Sequence, residues 1–208
     1  MTLNLDQTLD LEPDRLMALM DGIFAIAITL LVLGIELPAE VTFGSYVALD
    51  HFLISIIPQL GLYVISFVLL SSFWVQHHVF IRVKKVTVPF LWLNIAYLLV
   101  IVLIPFTTSI VGSYSQFFDA ELTFGVNIFL SLLIFFFIYY YACHTGIIED
   151  KLLEAKKHTY ITIIYSIILT IIVGFLGYTL TRSAIYLYLL IPIISIIRDV
   201  YHSKNDYL

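Results

Sequence analysis

The sequence predicts an all-α integral membrane protein with six transmembrane helices in one domain over residues 1–208. Composition is the first reason. The chain is 61% apolar and 12% charged, with a mean hydropathy of +1.02, whereas a soluble domain is about 45–50% apolar and about 25% charged. Segmentation is the second: apolar runs lie near 16–37, 50–74, 86–111, 122–144, 160–181 and 184–201, mostly long enough for a hydrocarbon layer about 30 Å thick. Charge placement is the third. With both termini on one side, that side receives Arg15, Arg82, Lys84, Lys85, Lys151, Lys156, Lys157, Arg198 and Lys204, and the other receives only Arg182. The positive-inside rule then makes both termini cytoplasmic in a multi-pass protein of the cell membrane.

Taken in order, residues 1–14 form a short acidic cytoplasmic segment with Asp6, Asp10, Glu12 and Asp14 and no Lys or Arg. This is the opposite of a signal-peptide start, so the first span is expected to be kept. The second and third spans are joined by the basic run RVKK, and Pro58 and Pro105 are potential kinks. The fourth ends in Tyr139, Tyr140 and Tyr141, placed as an inner aromatic belt, with Tyr178, Tyr186 and Tyr188 as its outer counterpart. Only Thr181, Arg182 and Ser183 separate the last two spans, which predicts a tight hairpin, and Pro192 is a third potential kink. The single cysteine, Cys143, excludes an internal disulfide and a Cys-based zinc site. The bases are too few and scattered to track phosphates, so nucleic acid is not an expected partner.

The first span, RLMALMDGIFAIAITLLVLGIELP from Arg15 to Pro38, is the most informative. A carboxylate within a spanning helix is costly and must face protein or water with a partner, which singles out Asp21. With about 100° per residue and Ile26 at zero, Leu19, Leu30 and Leu37 fall within about 40° on one side and Leu33 and Gly22 within about 40° on the other. Thr29 lies at the shoulder of this stripe, Ala18, Ala25 and Glu36 just beyond it, and Asp21 about 140° away. The stripe has two readings. It is lipid-facing or packing surface with small residues for helix contact, or copies of the helix surround an axis. In the second case Ile26, Leu30 and Leu33 form apolar rings that gate by dewetting, Thr29 hydroxyls lie nearby, and Glu36 and Glu40 concentrate cations at the outer mouth. No internal repeat is present, so an axial pore needs several copies of the chain.

Arg15-x-x-x-Leu19-Met20-Asp21-Gly22 followed by IFAIAITLLVL resembles the first helix of the transmembrane protein 175 family of endosomal and lysosomal potassium channels, including its prokaryotic members. The family hallmark is Arg-x-x-x-Phe-Ser-Asp; Arg15 and Asp21 match, and Leu19 and Met20 replace the Phe and Ser. Residues 74–78, WVQHH, just before RVKK, resemble the inner end of the family's second span. The resemblance implies a potassium-selective or potassium-preferring cation channel that is not an enzyme, with the pore on the symmetry axis of a homotetramer embedded in membrane lipid. It implies a hydrophobic constriction at Ile26, further apolar pore positions at Leu30 and Leu33, a selectivity role for Thr29, and no cofactor beyond permeant K⁺ or other monovalent cations. This chain has no TVGYG-type filter segment.

Asp21 points away from the stripe, so a neighbouring helix is expected to satisfy it. Trp74 N–H and His77 are suitable donors, and Arg15 completes the expected polar network. The apolar Met20 removes one hydroxyl from it. His77, His78, His144 and His158 raise a metal-site alternative, but adjacent residues on a helix point about 100° apart and neither HxxxH nor HExxH occurs, so no metal is expected. The alternative function is a proton-conducting pathway or proton-coupled transporter using Asp21 and the inner-face histidines. Paired broken helices or an internal repeat would favour a transporter, and neither is evident. A membrane enzyme would need convergent acid, base or nucleophile groups. Ser71, Ser72, His77 and Asp21 show no recognised catalytic spacing.

Overall fold

The computed structural model describes residues 11–35, 46–179 and 182–205, without the side chains of 182–183 and 198–205. Glu36, Leu37, Pro38 and Glu40 lie outside the described residues, as do residues 180–181 of the expected hairpin.

The described residues are helical almost throughout. The helices are α1 (Pro13–Leu30), α2 (Tyr46–Ser55), α3 (Ile57–Phe80), α4 (Val88–Ser113), α5 (Phe118–His144), α6 (Asp150–Glu154), α7 (Lys156–Thr179) and α8 (Leu190–Asn205). Two 3₁₀ segments, Leu31–Gly34 and Arg182–Leu189, continue α1 and precede α8. Five helical stretches among the described residues are long and apolar enough to cross a membrane: Pro13–Gly34, Tyr46–Phe80, Val88–Ser113, Phe118–His144 and Lys156–Thr179. The protein is therefore a multi-pass α-helical membrane protein. The sixth run, expected as a continuous span, instead contains a shorter apolar stretch, Ala184–Ile197, that begins as 3₁₀ helix. Pro192 contributes to the break. It has no N–H to pair with Tyr188 O four residues earlier and its ring crowds that carbonyl, which is harmless only near a helix start, where α8 places it.

Proline also marks the second span. Helix α2 stops at Ser55, and α3 restarts at Ile57 with Pro58 in its first turn, because the pyrrolidine ring cannot donate back to residue 54. Pro105 stays inside α4. Beside it, with the Asn127 amide oriented to suit its neighbours, the side chain donates to Val100 O (2.9 Å) and accepts from Ile104 N (3.1 Å). An unbroken α-helix would pair those two backbone groups with each other, so α5 supplies polar partners where the proline disturbs α4.

Helix α4 is the hub, packing against α1, α3 and α5, while α7 covers the far side of α5. The core is built from Leu16, Phe24, Leu69, Phe73, Tyr97, Ile101, Ile104, Phe124, Ile128 and Phe135, all nearly inaccessible. The tyrosine belts separate accordingly. Tyr140 and Tyr178 are exposed, but Tyr139 and Tyr188 are buried in the core, correcting the reading of all six as interfacial anchors. Three consecutive residues on a helix fan through about 200° and cannot share one face.

The connections after α3 and α5 meet at one end of the bundle. Val83 pairs with Ile148 in an isolated antiparallel bridge, Lys84 N donates to Ile147 O (2.7 Å), and Glu149 N donates to Arg82 O (2.9 Å). Lys84 Nζ also pairs with Asp150 (2.7 Å). Gly146, at φ +68°, turns the chain out of α5, as a glycine just past a helix end commonly does. The basic residues of these two connections are thus gathered at the end where α1 begins.

Candidate functional site on the first helix

Helix α1 has two faces. Leu16, Met20, Phe24, Ala27 and Leu31 recur at helical spacing and are buried against the rest of the bundle. Leu19, Gly22, Ile26, Thr29, Leu30 and Leu33 lie on exposed positions. The contrast is large: Ile26 is 59% and Leu33 73% exposed, against 1% for Phe24. The apolar stripe is therefore not used by the chain's own core. Met20 is part of that core, so the residue replacing the family serine has apolar surroundings.

The C-terminal end of α1 differs from the continuous α-helix expected over 16–37. After Leu30 the chain tightens into the 3₁₀ turn Leu31–Gly34. In 3₁₀ geometry residues i and i+3 eclipse, which aligns Leu33 with Leu30 rather than letting it drift across the stripe. Gly34 then passes close to α4, where an added Cβ would meet Ser109 at 3.6 Å. Thr29 Oγ1 donates to Ile26 O at 2.8 Å. With its hydrogen so used, the hydroxyl is left with acceptor lone pairs on an exposed helix position.

On the side of α1 away from the stripe, Trp74 Nε1 donates to Asp21 Oδ1 at 2.8 Å. This charge-assisted bond ties α1 to α3 and gives the carboxylate a partner, as its place in a spanning helix requires. The Trp74 indole also stacks on the His78 ring, centroids 5.8 Å apart.

His77 is not a donor to Asp21. It is buried, and its Nε2 lies 2.8 Å from Asn94 Oδ1. Asn94 Nδ2 donates to Phe90 O at 2.8 Å, so Oδ1 is the accepting atom and His77 Nε2 carries the hydrogen. The imidazole stacks on Tyr97 (5.6 Å, 14° between planes), and Tyr97 meets Phe24 of α1 and Phe135 of α5. Arg15 is exposed, and its guanidinium has no side-chain partner among the described residues. The four residues expected to form one network thus divide. Asp21 and Trp74 pair, His77 belongs to a buried amide and aromatic cluster, and Arg15 stands apart.

Asn94 and Tyr97 were not foreseen. The available signal was a lone amide within the apolar run LWLNIAYLLV. At the same end, Asp14, Met17, His78, Arg82, Asn94 and Glu149 are among the residues lining a cavity of about 280 Å³. Among the described residues no group of three or more His, Cys, Asp or Glu could hold a metal ion.

A multi-pass bundle of long apolar helices, with an N-terminal helix that leaves an apolar, threonine-bearing face uncovered, defines the class as an α-helical integral membrane protein. Its sequence and its fold agree on a family. The sequence profile described as the endosomal/lysosomal potassium channel TMEM175 matches residues 15–105. A protein named as a potassium channel from Chryseobacterium sp. is 30% identical over 158 residues, covering 74% of this chain and 79% of the relative. One so named from Streptomyces collinus is 38% identical over 104 residues; there the match spans 50% of this chain and about half (49%) of the relative. The crystal structure of a lysosomal potassium-selective channel TMEM175 homolog from Chamaesiphon minutus superposes with a TM-score of 0.66 at 23% identity, over 88% of this chain and 96% of that one. A crystal structure of a variant of the potassium channel MtTMEM175, in complex with a nanobody–MBP fusion protein, gives 0.54 at 20% identity, over 98% and 99%. The chain belongs to the TMEM175 family. This family and the named relatives are ion channels, not enzymes.

Proposed function

We propose that this protein is a potassium-selective or potassium-preferring cation channel, assembled as a homotetramer with α1 innermost and the pore on the fourfold axis. The observation that carries the reading is the exposed stripe of α1. Ile26, Leu30 and Leu33 are large apolar side chains that the chain's own core leaves uncovered, in the helix and turn with which the matched family region begins. Four copies facing an axis would stack these side chains into apolar rings. A ring of Ile26 cannot replace a hydration shell, so it imposes a desolvation barrier and gates by dewetting. Potassium sheds water more readily than sodium, and Thr29 oxygen lone pairs just outward of the ring offset part of that cost. Glu36 and Glu40 concentrate cations at the outer mouth, and no TVGYG-type filter is involved. Asp21 with Trp74 holds α1 in place; Arg15 and His77 belong to the same inner end. Both termini face the cytoplasm, and the membrane is the cell membrane.

The proton-pathway alternative has less support, because among the described residues no hydrogen-bond chain links Asp21 to His77 or His78. The test is planar-bilayer recording of purified protein under a K⁺/Na⁺ bi-ionic gradient, with Ile26→Ala beside the wild type. The wild type should reverse near the potassium potential, and Ile26→Ala should carry more current with weaker discrimination. Unchanged conductance and reversal potential in Ile26→Ala would remove the constriction from this helix. Currents that follow the proton gradient instead would favour the alternative.

A further inference from the structure

The end of the bundle opposite the basic connections holds a carboxylate that the channel reading does not use. Glu121 lies in the first turn of α5 and is 9% exposed. Its Oε1 is buried with no hydrogen-bond partner. No cationic side chain among the described residues pairs with it. The carboxyl group is pressed against α7 at Gly177, where an added Cβ would come within 3.0 Å of it.

Glu121 stands between two cavities. On one side is a groove of about 320 Å³ between α5 and α7, lined by Phe118, Leu122, Val126, Phe129 and Ile171 and floored by Gly174. An added Cβ at Gly174 meets nothing within 4 Å, so the groove is open there. Glu121 is its single charged residue. On the other side is a chamber of about 230 Å³ shared with Gln59, Ser115 and Tyr186. Gln59 Oε1 is also buried without a partner.

We propose that this is a binding site for a membrane amphiphile carrying a primary ammonium group, the ammonium meeting the Glu121 carboxylate and the chain lying in the α5–α7 groove. A buried acid without a partner among the described residues is a site for a cationic donor, because an ammonium counter-charge supplies the stabilisation that an ionised carboxylate loses on leaving water. The surroundings select the type of cation. A bare metal ion requires several oxygen ligands around it, whereas the groove offers one carboxylate and the hydroxyls of Tyr188 and Thr170, the latter already bonded to Ser166 O, in an otherwise apolar lining. An ammonium needs only an acceptor or two, and its alkyl chain replaces apolar contacts that the groove lacks. The groove lies near the start of α5 and the end of α7, and the ends of spanning helices lie at the depth where amphiphile headgroups reside.

The experiment measures binding of radiolabelled dodecylamine to the full-length protein in phosphatidylcholine nanodiscs, with dodecanol and dodecanoate as controls. Wild type is compared with Glu121→Gln in the same lipid, which cancels partitioning of the probe into the membrane. Glutamine is nearly isosteric and keeps a polar side chain without an ionisable group, so this variant should fold. Wild type should bind dodecylamine at least tenfold more tightly than Glu121→Gln, with dodecanol binding equal in the two. Gly174→Leu, which fills the groove, should weaken both. Equal dodecylamine binding by wild type and Glu121→Gln would overturn the proposal. So would Glu121-dependent binding of ⁸⁶Rb⁺ without binding of the amine, which would make the site one for bare cations. Because binding is read directly, the outcome is independent of whether the protein conducts potassium.

Discussion

The bond from Trp74 to Asp21 makes a quantitative prediction. Trp74→Phe keeps an aromatic ring beside His78 but deletes the indole N–H that reaches the carboxylate, now donated at 2.8 Å. A hydrogen bond to a charged group contributes about 1.5–3 kcal/mol net when well shielded. Trp74 is 37% exposed, so competition from water reduces the value from that well-shielded range to about 1–2 kcal/mol. That corresponds to a factor of roughly 5–30 in a folding equilibrium. Because the substitution also removes ring area, the pairwise part must be isolated by a double-mutant cycle with Asp21→Ala. The assay is reversible unfolding in mixed micelles titrated with SDS, followed by far-ultraviolet circular dichroism. The expected coupling is about 1–2 kcal/mol, and Asp21→Asn should retain part of it because the amide keeps an acceptor oxygen. A coupling below about 0.3 kcal/mol would refute the reasoning. It would mean that water serves Asp21 as well as the indole does, and that α1 is fixed by its apolar face alone. If Asp21→Ala assembled normally and changed only ion selectivity, the acid would instead line the permeation path.

Three further outcomes follow from the same geometry. Asn94→Leu should destabilise by about 1–3 kcal/mol, since it leaves His77 N–H buried without an acceptor; the Asn94→Leu/His77→Phe double variant should recover much of this in the same SDS titration. Thr29→Ala should leave folding nearly unchanged, because Thr29 is exposed and bonds only within its own turn, while shifting the bi-ionic reversal potential toward sodium. Lys84→Ala should cost no more than about 1 kcal/mol, as its pair with Asp150 is 47% and 82% exposed; a larger loss would show that the connection at this end depends on the ion pair rather than on its backbone bonds.

Solvent and periodicity were legible in the amino-acid order alone. Hydropathy marked the chain as a helical membrane protein, because an isolated span must satisfy its backbone internally. The 3.6-residue repeat separated the two faces of α1 before any packing was known: Ile26 and Leu30 on one, Asp21 on the other. The need to satisfy Asp21 named Trp74 among its donors. Packing settled which groups actually meet. His77 and Trp74 lie three positions apart on α3, too near in sequence to say which would take Asp21 and which would turn inward. The choice depended on Asn94, a residue 17 positions away that offers His77 a buried acceptor. The tight turn at Leu31–Gly34 and the 3₁₀ entry to α8 were likewise illegible, because close packing and proline placement change helical pitch without changing hydropathy. Nothing in the amino-acid order singled out Glu121. Its burial comes from Gly177 and the groove beside Gly174, contributed by a helix some fifty residues later in the chain. Local composition fixes which segments are helices in lipid; long-range packing fixes which polar atoms find partners and which are left to bind something else.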